Sequence, residues 1–232
     1  MATLDLEEQE QLDQLKHFWR QYGNLLTWTL ILVLGAYAAW NGWQYWQRNQ
    51  AAAASGMYAE LARAAQAGEV DRVGKVFNDL KEQYPRTTFA EQGGLLAAQV
   101  QAGKGQIDAA QASLGWVAER AGETEYQAVA RLRLAALLLN ARKVDDAARE
   151  LAGDFPPAFV ALAADRRGDV LQAQGKTAEA VAAYQQAYKG LTAQSTPSDY
   201  RQVVEAKLMA LGAAPAANAA SAAGAASVGA SR

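Results

Sequence analysis

An uncharged, apolar stretch near the N-terminus constrains this chain more than any other feature of its sequence. No Asp, Glu, Lys or Arg occurs in residues 21–47, and residues 25–43 read LLTWTLILVLGAYAAWNGW. A helix of about 20 mostly apolar residues spans the roughly 30 Å hydrocarbon layer of a bilayer. We therefore predict a single transmembrane helix over residues 21–47.

Aromatic side chains cluster at both ends of this stretch. Trp19 and Tyr22 precede the apolar core of the segment, and Trp40, Trp43 and Trp46 follow it. Tryptophan and tyrosine favour the level of the lipid headgroups, so they mark the points where a helix leaves the membrane. A buried helix of a soluble protein would not need aromatic belts at both ends, and we therefore favour the membrane span.

A cleaved signal peptide is the main alternative to a permanent anchor. Residues 36–38 and 51–53 resemble small-residue cleavage sites. However, the preceding segment is acidic, and the apolar stretch is longer than the 7–15 residues of a signal core. We therefore predict an uncleaved anchor. The basic residues Lys16 and Arg20 on one side balance Arg48 and Arg63 on the other, so charge alone leaves the orientation open.

The composition excludes several classes of function. The chain has no Cys, one His and a net charge of −2. Disulfide scaffolds, thiolate metal sites and an acylated lipoprotein anchor are therefore ruled out, and a His-dependent catalytic triad is disfavoured. Nothing in the sequence indicates a cofactor. The net charge is slightly negative, so the chain lacks the excess of positive charge that is typical of nucleic-acid-binding proteins. We accordingly expect no enzyme activity.

The rest of the chain repeats with a helical period. Small or apolar residues recur at equivalent positions, among them Val73, Ala110, Ala147 and Ala180, which are 37, 37 and 33 residues apart. A period near 34 residues is typical of stacked helical hairpins, each unable to bury its apolar face alone. We predict an all-α protein: the transmembrane helix, then a tetratricopeptide-like solenoid of about four hairpins plus a capping helix.

Turn residues divide this array. Gly or Asn within the hairpins permits the left-handed backbone that ends a helix, and Pro or Gly between hairpins breaks the chain. The capping helix should run from about residue 198 to 211. Residues 212–232 are almost entirely Ala, Ser and Gly, and we expect this tail to be disordered. The predicted turn segments within the hairpins are 67–69, 103–105, 140–142 and 174–176.

The chain resembles a known family in two segments. Residues 159–169, followed by Gly175, Ala180, Tyr184 and Ala187, are similar to a tetratricopeptide repeat. The join of the array to the head is more specific. That join comprises EEQ at 7–9, QL at 11–12, LK at 15–16, FWR at 18–20, YGN at 22–24 and GWQYW at 42–46. This arrangement resembles the ancillary subunits of the bacterial Sec translocon, over residues 5 to 211.

The resemblance implies a function, partners and an orientation. It implies a single-span protein of the bacterial inner membrane with an acidic cytoplasmic head (1–20), the span (21–47) and a periplasmic repeat domain (48–211). It also implies a non-enzymatic scaffold that associates with the Sec translocon and links it to periplasmic chaperones, or to a membrane-anchored chaperone, during protein export. A repeat-containing assembly factor of another envelope machine, such as cytochrome maturation, is the alternative.

By analogy with other repeat arrays, the first helix of each hairpin should line the concave side. That side would carry polar side chains suited to a partner loop, and Asp165 and Asp169 would share one solvated or partner-facing stripe. The candidate binding residues are Tyr58, Gln92, Gln99, Asn140, Asp165, Asp169 and Gln172. The acidic head carries the helical stripe Leu12, Leu15, Trp19 and Tyr22, which favours docking against a membrane protein rather than against anionic lipid.

Overall fold

A computed structural model describes residues 6–193 and 198–214, with side chains from Lys16 onward except those of Phe18 and Ser198. The tail predicted to be disordered lies outside the described residues from position 215. The chain divides into two compact units, Met1–Ala52 and Ala53–Arg232.

Nine α-helices and one short 3₁₀ helix account for the regular structure of the described residues. The 3₁₀ helix, Pro157–Phe159, precedes α7. The helices are α1 Leu6–Ala67, α2 Val70–Gln83, α3 Thr88–Gly103, α4 Ile107–Arg120, α5 Thr124–Asn140, α6 Val144–Glu150, α7 Val160–Ala173, α8 Thr177–Ala193 and α9 Ser198–Ala210.

Helix α1 contains the apolar stretch and is the one helix of the described residues long and apolar enough, by length and composition, to cross a membrane. Its large apolar side chains are exposed all along the stretch, from Leu25 to Trp46. Some of its polar side chains bond within the helix. Thr27 Oγ1 donates to the Gly23 carbonyl at 2.7 Å, and Asn41 Nδ2 donates to the Tyr37 carbonyl at 2.9 Å. These bonds satisfy groups that lipid could not satisfy.

The remaining helices form the predicted array. The C-terminal part of α1 shares a buried cluster with α2, in which Leu61 packs with Val73 and Phe77. Helix α3 then pairs with α4, α5 with α6 and α7 with α8, while α9 packs against α8 and caps the last hairpin. The four within-hairpin turns each contain a residue with positive φ: Gly68, Gly105, Arg142 and Gly175. In the third turn, Asn140 is the last residue of α5, and Arg142 takes the left-handed conformation at φ 63°. The expectation that a Gly or Asn would hold this position is therefore wrong at the third turn.

The predicted repeat positions form the core. Val73, Ala110, Ala147 and Ala180 are all fully buried. Small residues lie where helices approach most closely. At Gly168 in α7, an added Cβ would lie 2.5 Å from the ring of Tyr184 in α8. Because Tyr184 is fully buried, this ring fills the space between the two helices.

Helix α6 is the shortest of the array, and two arginines hold the loop that follows it. Arg131 of α5 donates from Nε to the Glu150 carbonyl at 2.9 Å and also bonds the Ala152 carbonyl. Arg167 of α7 donates to the carbonyls of Leu151 at 3.0 Å and Gly153 at 2.8 Å. These bonds satisfy carbonyls that the end of a helix leaves without an intrahelical donor.

Both guanidinium groups also lie over one aromatic ring in this loop. The Cζ atom of Arg131 is 4.2 Å from the centroid of the Phe155 ring, and that of Arg167 is 5.7 Å from it. Cation–π attraction of this kind adds to the carbonyl bonds. The loop is thereby fixed between α5 and α7, which brings the first helices of the third and fourth hairpins together.

Candidate functional site

An open groove of about 650 Å³ runs along the first helices of the second, third and fourth hairpins. Its walls come from α3, α5 and α7, with additional side chains from α4, from the 3₁₀ helix and from the cap helix α9. The lining is mainly apolar. The lining residues are Ala98, Gln99, Ala102, Leu114, Val129, Leu132, Arg133, Ala136, Leu137, Phe159, Leu162, Arg166 and Tyr200.

Few polar groups line this groove. They are the guanidinium groups of Arg133 and Arg166, the amide of Gln99 and the hydroxyl of Tyr200, and the lining includes no carboxylate. A mostly apolar concave surface with a small number of placed polar groups is typical of a binding site. The groove therefore combines an apolar floor with two basic positions.

A hydrogen-bonded network anchors one wall of the groove. The hydroxyl of Tyr200 donates to Asp165 Oδ2 at 2.7 Å. Lys207 Nζ lies 2.8 Å from Asp165 Oδ1 and 2.6 Å from Asp169 Oδ1. Asp165 is only 1% exposed, so α9 supplies both groups that compensate its buried carboxylate.

The same network reaches α8 through Tyr184. The hydroxyl of Tyr184 donates to Asp169 Oδ1 at 2.8 Å and lies 3.0 Å from the side-chain amide of Gln172. Arg166 Nη1 donates to Asp169 Oδ2 at 3.0 Å. Burial, together with the neighbouring carboxylates, raises the pKa of Tyr184 and of Tyr200 far above the ordinary value. Both hydroxyls therefore remain protonated donors at neutral pH.

The structure brings only one of the seven predicted binding residues into the groove, namely Gln99. Asp165 was expected on a solvated or partner-facing stripe, and that expectation is wrong, because its side chain is buried beneath α9. Asp169 bonds Lys207, Arg166 and Tyr184, and Gln172 lies at the exposed end of this network.

The other predicted residues lie elsewhere along the first helices. Gln92 is half-buried, and its Nε2 donates to the Tyr126 hydroxyl at 2.8 Å. Tyr58 is half-buried, with its ring centroid 5.8 Å from that of Phe89. Asn140 is exposed at the end of α5. As a set, these seven residues do not form one exposed face.

Sequence reasoning missed most of the groove because its lining is apolar. Val129, Leu137 and Leu162 were indistinguishable from core residues by type, yet each is only half-buried. A usable signal was present. Helix α5 carries apolar residues on nearly every face, more than packing against α4 and α6 requires.

The belt residues of α1 are all exposed, with exposed fractions from 44% for Tyr22 to 63% for Trp19 and Trp40. The rings of Trp43 and Trp46 lie 5.4 Å apart between centroids. Eighteen residues separate Tyr22 from Trp40, about 27 Å of helix. That distance matches the hydrocarbon layer.

A second cleft of about 800 Å³ lies beside α2 and α4, the second helices of the first two hairpins. Its lining includes Lys81, Arg86, Trp116 and Arg120. Within the described part of the chain, no group of three His, Asp or Glu side chains is arranged to hold a metal ion.

Two comparisons with known proteins agree with this architecture. A family described as a tetratricopeptide repeat-like domain matches residues 16–213. The chain is also 30% identical over 207 residues to the ancillary SecYEG translocon subunit of Neisseria gonorrhoeae (strain ATCC 700825 / FA 1090). The aligned residues make up 89% of this chain and 98% of that protein. No solved structure matches the chain.

Proposed function

Because the chain belongs to the tetratricopeptide repeat-like family of the ancillary SecYEG translocon subunit, we propose that it is a membrane-anchored, non-enzymatic scaffold of the Sec translocon. In this proposal it links the translocon to periplasmic chaperones during protein export. The chain would be held in the bacterial inner membrane by one span.

One observation carries the proposal: the same chain joins an exposed apolar helix to a helical array with an open groove. The apolar surface of α1 between its two aromatic belts needs lipid or another membrane protein to cover it. The groove is open to water and is a second surface, to which we assign a separate partner outside the membrane. Two such surfaces on one chain raise the local concentration of their partners without tight affinity at either.

The proposed topology places residues 1–20 in the cytoplasm, residues 21–47 in the membrane and the array in the periplasm. Its orientation rests on the resemblance to the translocon subunits, since the flanking basic residues balance. Protease added to spheroplasts should digest the array. Complete protection of residues 48–211 in spheroplasts, with digestion only after lysis, would contradict this orientation.

The partners are tested by crosslinking in native membranes. A photoreactive amino acid at Leu30, within the span, should capture a translocon subunit, and one at Gln99, in the groove, should capture a periplasmic chaperone. Arg120, in the second cleft, is the matched control for Gln99. Capture of a cytochrome-maturation component from position 30 would favour the alternative function instead.

A further inference from the structure

We propose that the groove binds an extended, mainly apolar segment of a partner protein that carries a carboxylate paired with Arg133. This deepens the proposed function, on which it rests, by stating the chemistry of the segment that the array recognises. It assigns the decisive polar contact to one side chain.

The shape of the groove suits a chain segment with apolar side chains. Ala98, Ala102 and Ala136 leave room between α3 and α5, and the half-buried side chains of Phe159 and Leu162 form the wall toward α7. The volume of about 650 Å³ lies within the range of about 300–1,000 Å³ typical of ligand sites. Small residues on facing helices therefore create space that apolar side chains of a partner can fill.

The charges of the groove are unequally compensated. Arg166 is paired with Asp169, and the Tyr200 hydroxyl is bonded to Asp165, so these groups have partners within the array. Arg133 is exposed and forms no ion pair or hydrogen bond with any residue in the described ranges. It therefore contributes an uncompensated positive charge at the groove.

An uncompensated guanidinium selects the charge of the occupant. A segment that covers Arg133 removes water from it, and this desolvation is offset best by a carboxylate, which matches the guanidinium fork with two hydrogen bonds. A lysine or arginine of the segment at the same place would be repelled. The occupant is thus an acidic, apolar segment of a protein rather than a basic one.

The experiment uses the full-length protein in nanodiscs and a labelled seven-residue probe. The acidic probe is a peptide of Ala, Val and Leu with one central Glu and with both ends blocked. The neutral control peptide, its match, carries Gln in place of the Glu. Fluorescence anisotropy, corrected with empty nanodiscs, should show the acidic probe binding about tenfold more tightly than its match.

Two variants identify the site. Arg133→Gln should abolish the preference for the acidic probe, whereas Arg120→Gln, the same change in charge outside the groove, should leave it intact. Ala136→Phe should fill the groove and weaken both probes at least about tenfold, with far-UV circular dichroism and the thermal midpoint reporting that the array is still folded.

Equal binding of the acidic and neutral probes would overturn the inference, as would a preference that persists in Arg133→Gln. Crosslinking from position 30 is measured on the same variants. If that crosslinking to the translocon persists while the probe shows no preference, the inference fails and the proposed function stands. Loss of both would indicate failure of the proposed function.

Discussion

At Gly168, helices α7 and α8 approach so closely that any side chain would meet the ring of Tyr184. A Cβ at this position would lie 2.5 Å from the ring, and Tyr184 is itself fully buried and hydrogen-bonded to Asp169. We expect Gly168→Ala to lower the free energy of unfolding by about 1–3 kcal/mol through overpacking. Urea denaturation followed by circular dichroism measures this change.

Gly115, in the middle of α4, is the matched control. A Cβ at this position would meet no atom within 4 Å. Gly115→Ala should therefore stabilise the array by about 0.5–1 kcal/mol, since alanine restricts the unfolded chain and favours helix. If both alanine variants changed stability in the same direction, the close contact between Gly168 and Tyr184 would be in doubt.

A second prediction concerns Glu91, which is buried in α3. Its Oε1 accepts a hydrogen bond from the Gly122 backbone N–H at 2.7 Å, while its Oε2 has no hydrogen-bond partner among the described residues. Burial raises the pKa of this carboxyl above its ordinary value. The folded chain therefore binds the proton more tightly than the unfolded chain does.

It follows that Glu91 favours folding more at low pH and costs stability above its raised pKa. Glu91→Gln keeps the acceptor for Gly122 and removes the buried charge, so at pH 8 it should raise the free energy of unfolding by about 1–2 kcal/mol. The gain should shrink as the pH falls toward 5. Thermal melts of both proteins across this range measure the difference, and a gain that grows on acidification would contradict the sign.

These residues show what the sequence could and could not predict. The contact at Gly168 follows from repeat spacing, because a small residue at that offset recurs in this type of hairpin. The environments of Glu91 and Asp165 do not follow from spacing. Their partners are a loop N–H 31 residues away and a lysine 42 residues away, and a charged side chain in a helix is otherwise expected at the surface.

At the scale of elements, the docking of α9 depends on a lysine as well as on apolar packing. Val204 and Leu208 are fully buried, and between them Lys207 bonds both Asp165 and Asp169. Lys207→Met would leave the buried Asp165 carboxylate without its ion-pair partner. We expect a loss of about 2–4 kcal/mol in the free energy of unfolding.

Hydrogen exchange locates this loss. Amides of residues 198–210 should exchange faster in Lys207→Met, because strain in a repeat array passes mainly to neighbouring elements. Lys189→Met, an exposed lysine of α8, is the control and should leave exchange unchanged. Adding Asp165→Asn to Lys207→Met should recover part of the stability, and no recovery would mean that the buried charge is not the cause.

Most elements could be predicted from their periodicity, but two of their features could not. The third turn uses Arg142 with positive φ where Gly or Asn was expected. The capping of α6 also has no simple sequence signal, because Arg131 and Arg167 from other helices donate to the carbonyls at its end and in the following loop. Long-range capping of this kind is specified by tertiary packing rather than by local propensity.

At the scale of the whole molecule, the array carries its own hydrophobic core. In the part of the chain that the structure describes, all the core clusters are built from residues between Ala54 and Ala213. A fragment of residues 51–211 should therefore fold on its own, with a cooperative thermal transition and high helix content. It should still bind the proposed periplasmic partner weakly.

The same fragment should no longer copurify with the translocon, because it lacks the exposed apolar surface of α1. Affinity purification from membranes, compared with the full-length protein, measures this loss. Equal recovery of the translocon by the fragment would show that α1 is not the membrane-side contact. The groove was the least predictable feature at this scale, since apolar residues such as Leu137 and Leu162 pack against the core and also line the groove.

The side chain of Tyr200 has a consequence for any molecule that occupies the groove. Its ring lines the groove, and its hydroxyl holds the cap helix to Asp165. A molecule that binds this ring in its docked position is therefore thermodynamically linked to cap docking: it stabilises α9, and a change that loosens α9 weakens its binding by the same free energy.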